Sequence, residues 1–455
     1  MASISTFDSL RIRDYRLLWL GQVNTSMGQW MDQVTRGWLI YQITGSPLQL
    51  GLVTATRGLP LLLFGILAGA FADRSGRKMQ LIVAQVVNGL LNLFLALLVL
   101  TGYVEVWHIY LTAFLSGSVQ AFQQPARQTL ISDLVPENKL LNALALNSAA
   151  LNSSRAIGPA VAGVVITFIG TGGSYMLQAV MYAVATIWTY QINIPARLET
   201  RDEQGRVREH LPFFRSVGEG LAFAGKEPNI RAQLLLGLGP LTFAMSYTAL
   251  MPLIAVEVLD GNATLQETLL SFVGGGALIG ALTVASMRQS NAYGLSVVLG
   301  AVAFCVSVLA FASSHWVWVS CALGFVLGLF SVAYTTQNQS LLQILTPRHL
   351  RGRVMSIYLL DRGLVPLGAV VAGTLAEHFG GQEAIRGLAI IALAIVALVV
   401  ATHPQILKLQ VPLGERLEPR GRAGAGSTAA PDEREARKLR EQGDQLYAEP
   451  SSQPT

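Results

Sequence analysis

Six charged side chains stand in stretches otherwise almost free of charge: Asp32 and Arg36, Arg57, Arg155, and the adjacent Asp361 and Arg362. Asp32 and Arg36 are four residues apart, so on a helix they share a face. A nearby cation favours an ionised carboxylate and burial favours a neutral one, so a group moved between two such settings takes up and releases a proton. Asp32 is the candidate for that chemistry, with Arg36, Arg57 and Arg155 competing for it and tuning its hold on the proton. The same residues also fit a static network that only satisfies its own buried charges. Amide side chains accompany them in three places: Asn24, Gln29 and Gln33; Gln120, Gln123 and Gln124; Gln337 and Asn338. These can offer hydrogen bonds to a small solute or join one helix to another.

Long apolar runs position these groups. Of 455 residues 13% are charged, against about 25% in soluble domains, too few for a water-facing surface of this size. Leu59–Ala72, Leu90–Leu100 and Gly387–Ala401 lie within hydrophobic stretches of roughly 20 residues, the length a bilayer core demands. In lipid a spanning segment must satisfy its own backbone, so these stretches are helices. They are continuous apolar blocks and lack the short alternating segments of a membrane β-barrel.

Spans are expected near 17–41, 48–72, 79–101, 107–125, 142–167 and 174–194, then near 230–255, 267–288, 293–312, 317–337, 354–376 and 385–402. The rise of about 1.5 Å per residue puts Asp32 and Arg57 at matching depth, roughly 13 Å from one end of their spans, with Arg155 a few ångströms deeper. They can meet. Four arginines against two aspartates would suit an anionic or polyphenolic solute better than a simple cation.

Basic residues separate the connecting loops into two kinds. Arg11, Arg13 and Arg16; Arg74, Arg77 and Lys78; Arg127 and Lys139; Arg197–Arg215; Arg288; and Arg348, Arg351 and Arg353 alternate with loops that contain no Lys or Arg. Arg386 alone breaks the alternation. By the positive-inside rule both termini are cytoplasmic, which needs an even number of spans. Twelve fits.

The expected organisation is therefore an all-α polytopic membrane protein with a cytoplasmic N-terminus at 1–16 and two six-helix bundles at 17–194 and 230–402. A cytoplasmic linker at 195–229 carries an interfacial helix with Phe213, Phe214, Val217, Leu221 and Ala224 at helical spacing. A polar tail at 403–455 is expected to be disordered. No cleavable leader is expected, since no small-residue site follows the first apolar run. The bundles are pseudo-symmetric: Gln128-Thr129-Leu130-Ile131 matches Gln339-Ser340-Leu341-Leu342, and Gly158–Gly163 aligns with Gly368–Gly373. Repeats about an axis along the membrane normal place a solute cavity between the halves.

Cys305 and Cys321 lie in apolar segments and the six histidines lack ligand spacing, so neither a disulfide nor a metal site is expected. No cofactor is expected. A phosphate-binding glycine loop and a nucleophile elbow are absent from the sequence, which disfavours an enzyme and an ATP-driven pump. The net charge of +5 follows from the basic loops and calls for no nucleic acid.

The loop GAFADRSGRK supplies Gly69, Asp73, Arg74, Gly76, Arg77 and Lys78. It resembles the signature loop of the major facilitator superfamily; Asp73 can pair with basic groups or a helix N-terminus across the seam between halves, and such a cluster can hold the cytoplasmic side shut. Gly158, Pro159 and Gly163 partly match the superfamily's antiporter motif, although Ser154 and Ala162 replace two of its glycines. A closely packed helix bend explains that segment equally well. Thr44-Gly45-Ser46-Pro47, Pro125-Ala126-Arg127, Asp133-Leu134-Val135-Pro136 and Arg351–Ser356 make most of Tyr15–Ala401 similar to the enterobactin-exporter branch. The resemblance implies a monomeric carrier in the bacterial inner membrane, surrounded by lipid, that expels a siderophore, drug or organic anion against protons by alternating access. Uptake or facilitated diffusion on the same fold stays open, as does a non-transporting sensor or lipid scramblase.

Overall fold

The computed structural model describes residues 7–74, 76–193, 223, 225–286, 293–346, 354, 357–358 and 364–409. Contacts divide the chain into Met1–Gln410 and Val411–Thr455, and the second unit lies outside the described residues.

All regular structure among the described residues is helical. The first set comprises α1 (Arg13–Thr44), α2 (Pro47–Arg74), α3 (Arg77–Thr101), α4 (Val106–Leu134) and α5 (Glu137–Tyr190). The second comprises α6 (Pro228–Thr242), α7 (Met251–Leu253), α8 (Ala263–Ser286), α9 (Tyr293–Ala312), α10 (Val317–Leu345), α11 (Val365–Phe379) and α12 (Gly381–Thr402). Within the first set α1 and α3 pack along α5, and α2 along α4. Within the second α8 and α9 pack on α10, and α12 on α6, α9 and α11. The sets meet along two seams, α2 with α11 and α5 with α8.

The 54 residues of α5 would make a straight rod of about 80 Å, far beyond a bilayer core. Gly170 breaks it at φ 77° and ψ 178°, a conformation open to glycine alone. The expected fifth and sixth spans are thus two helical arms joined at a single residue. The expected seventh span differs more. It is α6, a 3-10 turn at Ala244–Thr248, α7 and a π turn at Ile254–Val258, bent by 45°. Pro240 and Pro252 lie in this stretch, and each removes a backbone donor from the helical ladder. The expected interfacial helix lies outside the described residues except for Phe223, as do Asp361, Arg362 and most of 347–363.

By length and apolarity alone six described helices can cross a membrane, or seven if the bent pair is one span. Large apolar side chains are exposed along their outer faces, among them Leu90, Leu97, Trp318 and Leu398. Belts of this kind need an apolar solvent or partner.

At the basic end the chain start is stitched to α5. Ser9 N–H donates to Asn142 Oδ1 at 3.1 Å, Tyr15 Oη to the Ala143 carbonyl at 2.7 Å, and Trp19 Nε1 to the Leu146 carbonyl at 2.9 Å. Lys139 Nζ lies 2.9 Å from Asp8 Oδ2. The Lys139 hydrogen bond, with help from its charge and that of Arg11, lowers the Asp8 pKa. A depressed carboxylate pKa stabilises the fold above the unfolded value, and that contribution disappears as pH falls through the folded value. Asp8→Asn should therefore lower the unfolding temperature slightly at neutral pH and leave it unchanged in strong acid; an equal drop at both pH values would refute the ion pair's role.

Candidate functional site

Asp32 is 3% exposed and Arg36 4%, buried where α1, α2 and α4 meet. Helical spacing brings Arg36 Nη2 to 2.7 Å from Asp32 Oδ1, with Nε donating to Oδ2 at 3.3 Å. Arg57 on α2 reaches Asp32 Oδ2 at 3.0 Å. Arg36 Nη1 also donates to the Ile109 carbonyl at 3.0 Å and to Thr112 Oγ1 at 2.7 Å on α4. One carboxylate thus clasps two guanidinium groups and ties three helices together. Buried charges persist only when paired and bonded in this way.

Arg155 lies apart from the clasp. Its guanidinium sits 5.4 Å from the Trp30 ring centroid, a cation–π contact. Arg155, Trp30 and Gln33 of the first set line a central cavity with Tyr247, Pro252 and Gln266 of the second. The cavity encloses about 50 Å³, whereas sites for drug-sized molecules run to about 300–1,000 Å³. In this conformation the centre holds water at most.

Above the cavity the halves touch at the end whose turns lack basic residues. Tyr41 Oη donates to Glu257 Oε1 at 2.8 Å, Ser46 Oγ to Glu377 Oε2 at 2.9 Å, and Leu48 N–H to the same oxygen at 3.1 Å. Thr167 and Thr264 hydroxyls are 2.6 Å apart. A Cβ on Gly51 would run into the Ala369 carbonyl, and one on Gly373 would lie 2.7 Å from the Pro47 carbonyl. Small residues let α2 and α11 close backbone to backbone, as tight helix pairs in lipid require.

The remaining expected residues scatter. Gln33 alone of the eight amides lines the central cavity. Gln337 instead faces a second, apolar cavity between α8, α9 and α10, where Ser296 Oγ donates to its Oε1 at 2.6 Å. Asn24 Nδ2 donates to the Leu20 carbonyl of its own helix. Gln29 and Gln120 are half-buried and Gln124 is exposed. Gln123 is buried with Oε1 unbonded, and Asn338 is buried with neither side-chain atom bonded.

In the charged loop, Arg77 pairs with Asp133 at 2.5 Å. Lys78 donates to the Ile192 carbonyl at 2.7 Å and stands over the Tyr190 ring. Gly76 caps α3 and Gly69 lies within α2. These bonds stay inside the first set; the side chain of Asp73, from which pairing across the seam was expected, lies outside the described ones, as does that of Arg74. In the antiporter-like stretch Pro159 lines the central cavity. A Cβ on Gly158 would meet Trp30 Cβ at 2.7 Å, and one on Gly163 would overlap the Glu267 carboxyl. The motif therefore packs α5 against α1 on one side and α8 on the other.

Sequence reasoning missed Glu267 and Gln266, which open α8, and it placed Arg127 in a basic loop. Arg127 is 3% exposed, with its guanidinium nitrogens unbonded. The available signal was an ionisable residue within the error of a span boundary.

The sequence profile of the transmembrane secretion effector family matches residues 4–418. The staphyloferrin A transporter of Staphylococcus aureus (strain NCTC 8325 / PS 47) is 25% identical, covering 78% of this chain and 87% of that one. Macrolide efflux protein A of Streptococcus pyogenes is 24% identical over 86% and 96% of the two chains. A solved bacterial homologue of the human lysosomal transporter Spinster, inward-facing and unoccupied, matches with a TM-score of 0.67 at 15% identity, covering 88% of this chain and 99% of that one. With a family match over nine-tenths of its length and a shared fold, the chain belongs to the transmembrane secretion effector family and is a multi-pass transporter of the major facilitator superfamily, not an enzyme.

Proposed function

We propose that this chain exports a small molecule from the bacterial cytoplasm in exchange for protons, by alternating access between two six-span halves with both termini cytoplasmic. The observation that carries the reading is Asp32, clasped by Arg36 and Arg57 at the depth of a central cavity that both halves line. A carboxylate held by two arginines in one conformation can exchange them for a proton in another, and that exchange links proton entry to solute release. Closure at the non-basic end, which the positive-inside rule makes the outer end, supplies the shut side of the cycle. The named substrates of the relatives, a siderophore and macrolides, set the class to be tested. Arg155, the one charged side chain among the described residues that line the cavity, favours solutes with acidic groups, staphyloferrin A before erythromycin.

Inside-out proteoliposomes with an acid lumen should accumulate the exported solute several-fold over a gradient-collapsed control. Staphyloferrin A, erythromycin and ethidium are the probes. Equal filling with and without the gradient would replace the exporter by a facilitator, and absence of flux for all three would remove the transport reading for this class.

A further inference from the structure

Glu267, in the second turn of α8, is 1% exposed, and neither carboxyl oxygen has a hydrogen-bond partner among the described residues. Its carboxyl occupies the space beside Gly163 of α5 that any side chain there would fill: a Cβ on Gly163 would lie 2.8 Å from Glu267 Cβ. One turn away is the Thr167–Thr264 bond across the same seam. The carboxyl is therefore sealed into the contact between the two halves and not into the core of either one.

Among the described residues its surroundings offer no counter-ion. Glu267 is the one charged residue of α8, and α10 beside it has none, only Cys321 and Tyr334 as titratable groups. On α5 the nearest charge is Arg155, eight residues from Gly163, or about 12 Å along the helix. Glu137 and Lys139 are at the far end of α5, and Tyr175 and Tyr182 follow its break at Gly170. Glu257 in the adjoining π turn is of like sign and bonded to Tyr41; Tyr247 lines the cavity reached by the neighbouring Gln266. An ionised carboxylate with neither donor nor cation is among the costliest groups to bury. Only the neutral acid fits the closed seam.

We propose that Glu267 is a proton-binding latch on the outer seam: protonated it lets α5 and α8 close, and ionised it parts them. The latch rests on the proton-driven reading above and adds a second carboxylate to it, in the other half of the molecule. Outer water supplies the proton while the seam is open. Closure then carries it inward, and Gln266 on the cavity side gives a polar route toward the centre. Asp32 and Glu267 thus stand in different halves with opposite partners, one with two cations and one with none among the described residues.

Spin labels at Tyr103→Cys and His315→Cys, in exposed turns of the two sets, report the outer opening in the full-length chain in lipid nanodiscs. The natural Cys305 and Cys321 are buried and can stay. Across about pH 5 to 9 the wild type should pass from short to longer inter-label distances. Glu267→Gln should hold the short distance throughout, and Glu267→Asp should keep the transition. Gly163→Ala, whose methyl group presses on the carboxyl, should raise the open fraction at every pH. A Gln variant that still opens with rising pH, or a wild type with one distance at all pH values, would overturn the latch. If that Gln variant also pumps normally, the exporter stands without the latch. A wild type that opens with pH but shows no gradient-driven flux keeps the latch and loses the exporter.

Discussion

Asp32→Asn is expected to reduce gradient-driven transport to background, a loss on the order of 100-fold, the scale at which positioned proton-transfer groups act. The amide keeps the shape and one acceptor but cannot carry a negative charge or exchange a proton. The geometry adds a consequence that spacing alone does not suggest. Arg36 and Arg57 both bond to this carboxylate, and Arg36 is buried. Neutralising their partner leaves a buried positive pair, with a stability loss of about 3 kcal/mol. Combining Asp32→Asn with Arg57→Gln should recover much of the unfolding temperature, because one cation then matches the remaining acceptors at Ile109 and Thr112. Transport should not recover. A single variant that pumps like the wild type would end the coupling role, and a double variant that regains transport would make the clasp purely structural.

Gly51→Val should produce the second large effect, on the balance between conformations. The added side chain would be driven into the Ala369 carbonyl of α11, and backbone on a facing helix has no rotamer to escape into. Overpacking of this kind costs about 1–3 kcal/mol. The penalty falls on the outer-closed state alone, so the equilibrium shifts toward outer opening by roughly 5- to 150-fold. Thr54 lines the central cavity on the same helix. A cysteine at that position should react with a membrane-impermeant maleimide faster by that factor when Gly51 is also replaced, while export falls. Unchanged labelling would show that the α2–α11 contact does not gate the cavity.

Several features were legible in the one-dimensional pattern. Apolar runs of bilayer length dictate helices because lipid leaves a backbone no other partner. Asp32 and Arg36 pair because four residues are one helical turn. Matching depth correctly anticipated that Arg57 would reach Asp32. Depth along a rod follows from counting residues, and counting needs no knowledge of neighbours.

Rotation about each rod does not follow from counting, and the tertiary structure decided it. Arg155 has the right depth for Asp32 yet turns to Trp30 and the cavity. Gln337 sits at a cavity-like position in its span yet faces α9 through Ser296. Glu267 looked like the edge of a loop, and only the approach of α5 at Gly163 made it a sealed carboxyl. In each case the chain sets which side chain a helix carries at a given height. The packing of one helix against another sets whether that side chain meets a counter-ion, a cavity or nothing polar, and its chemistry depends on that meeting.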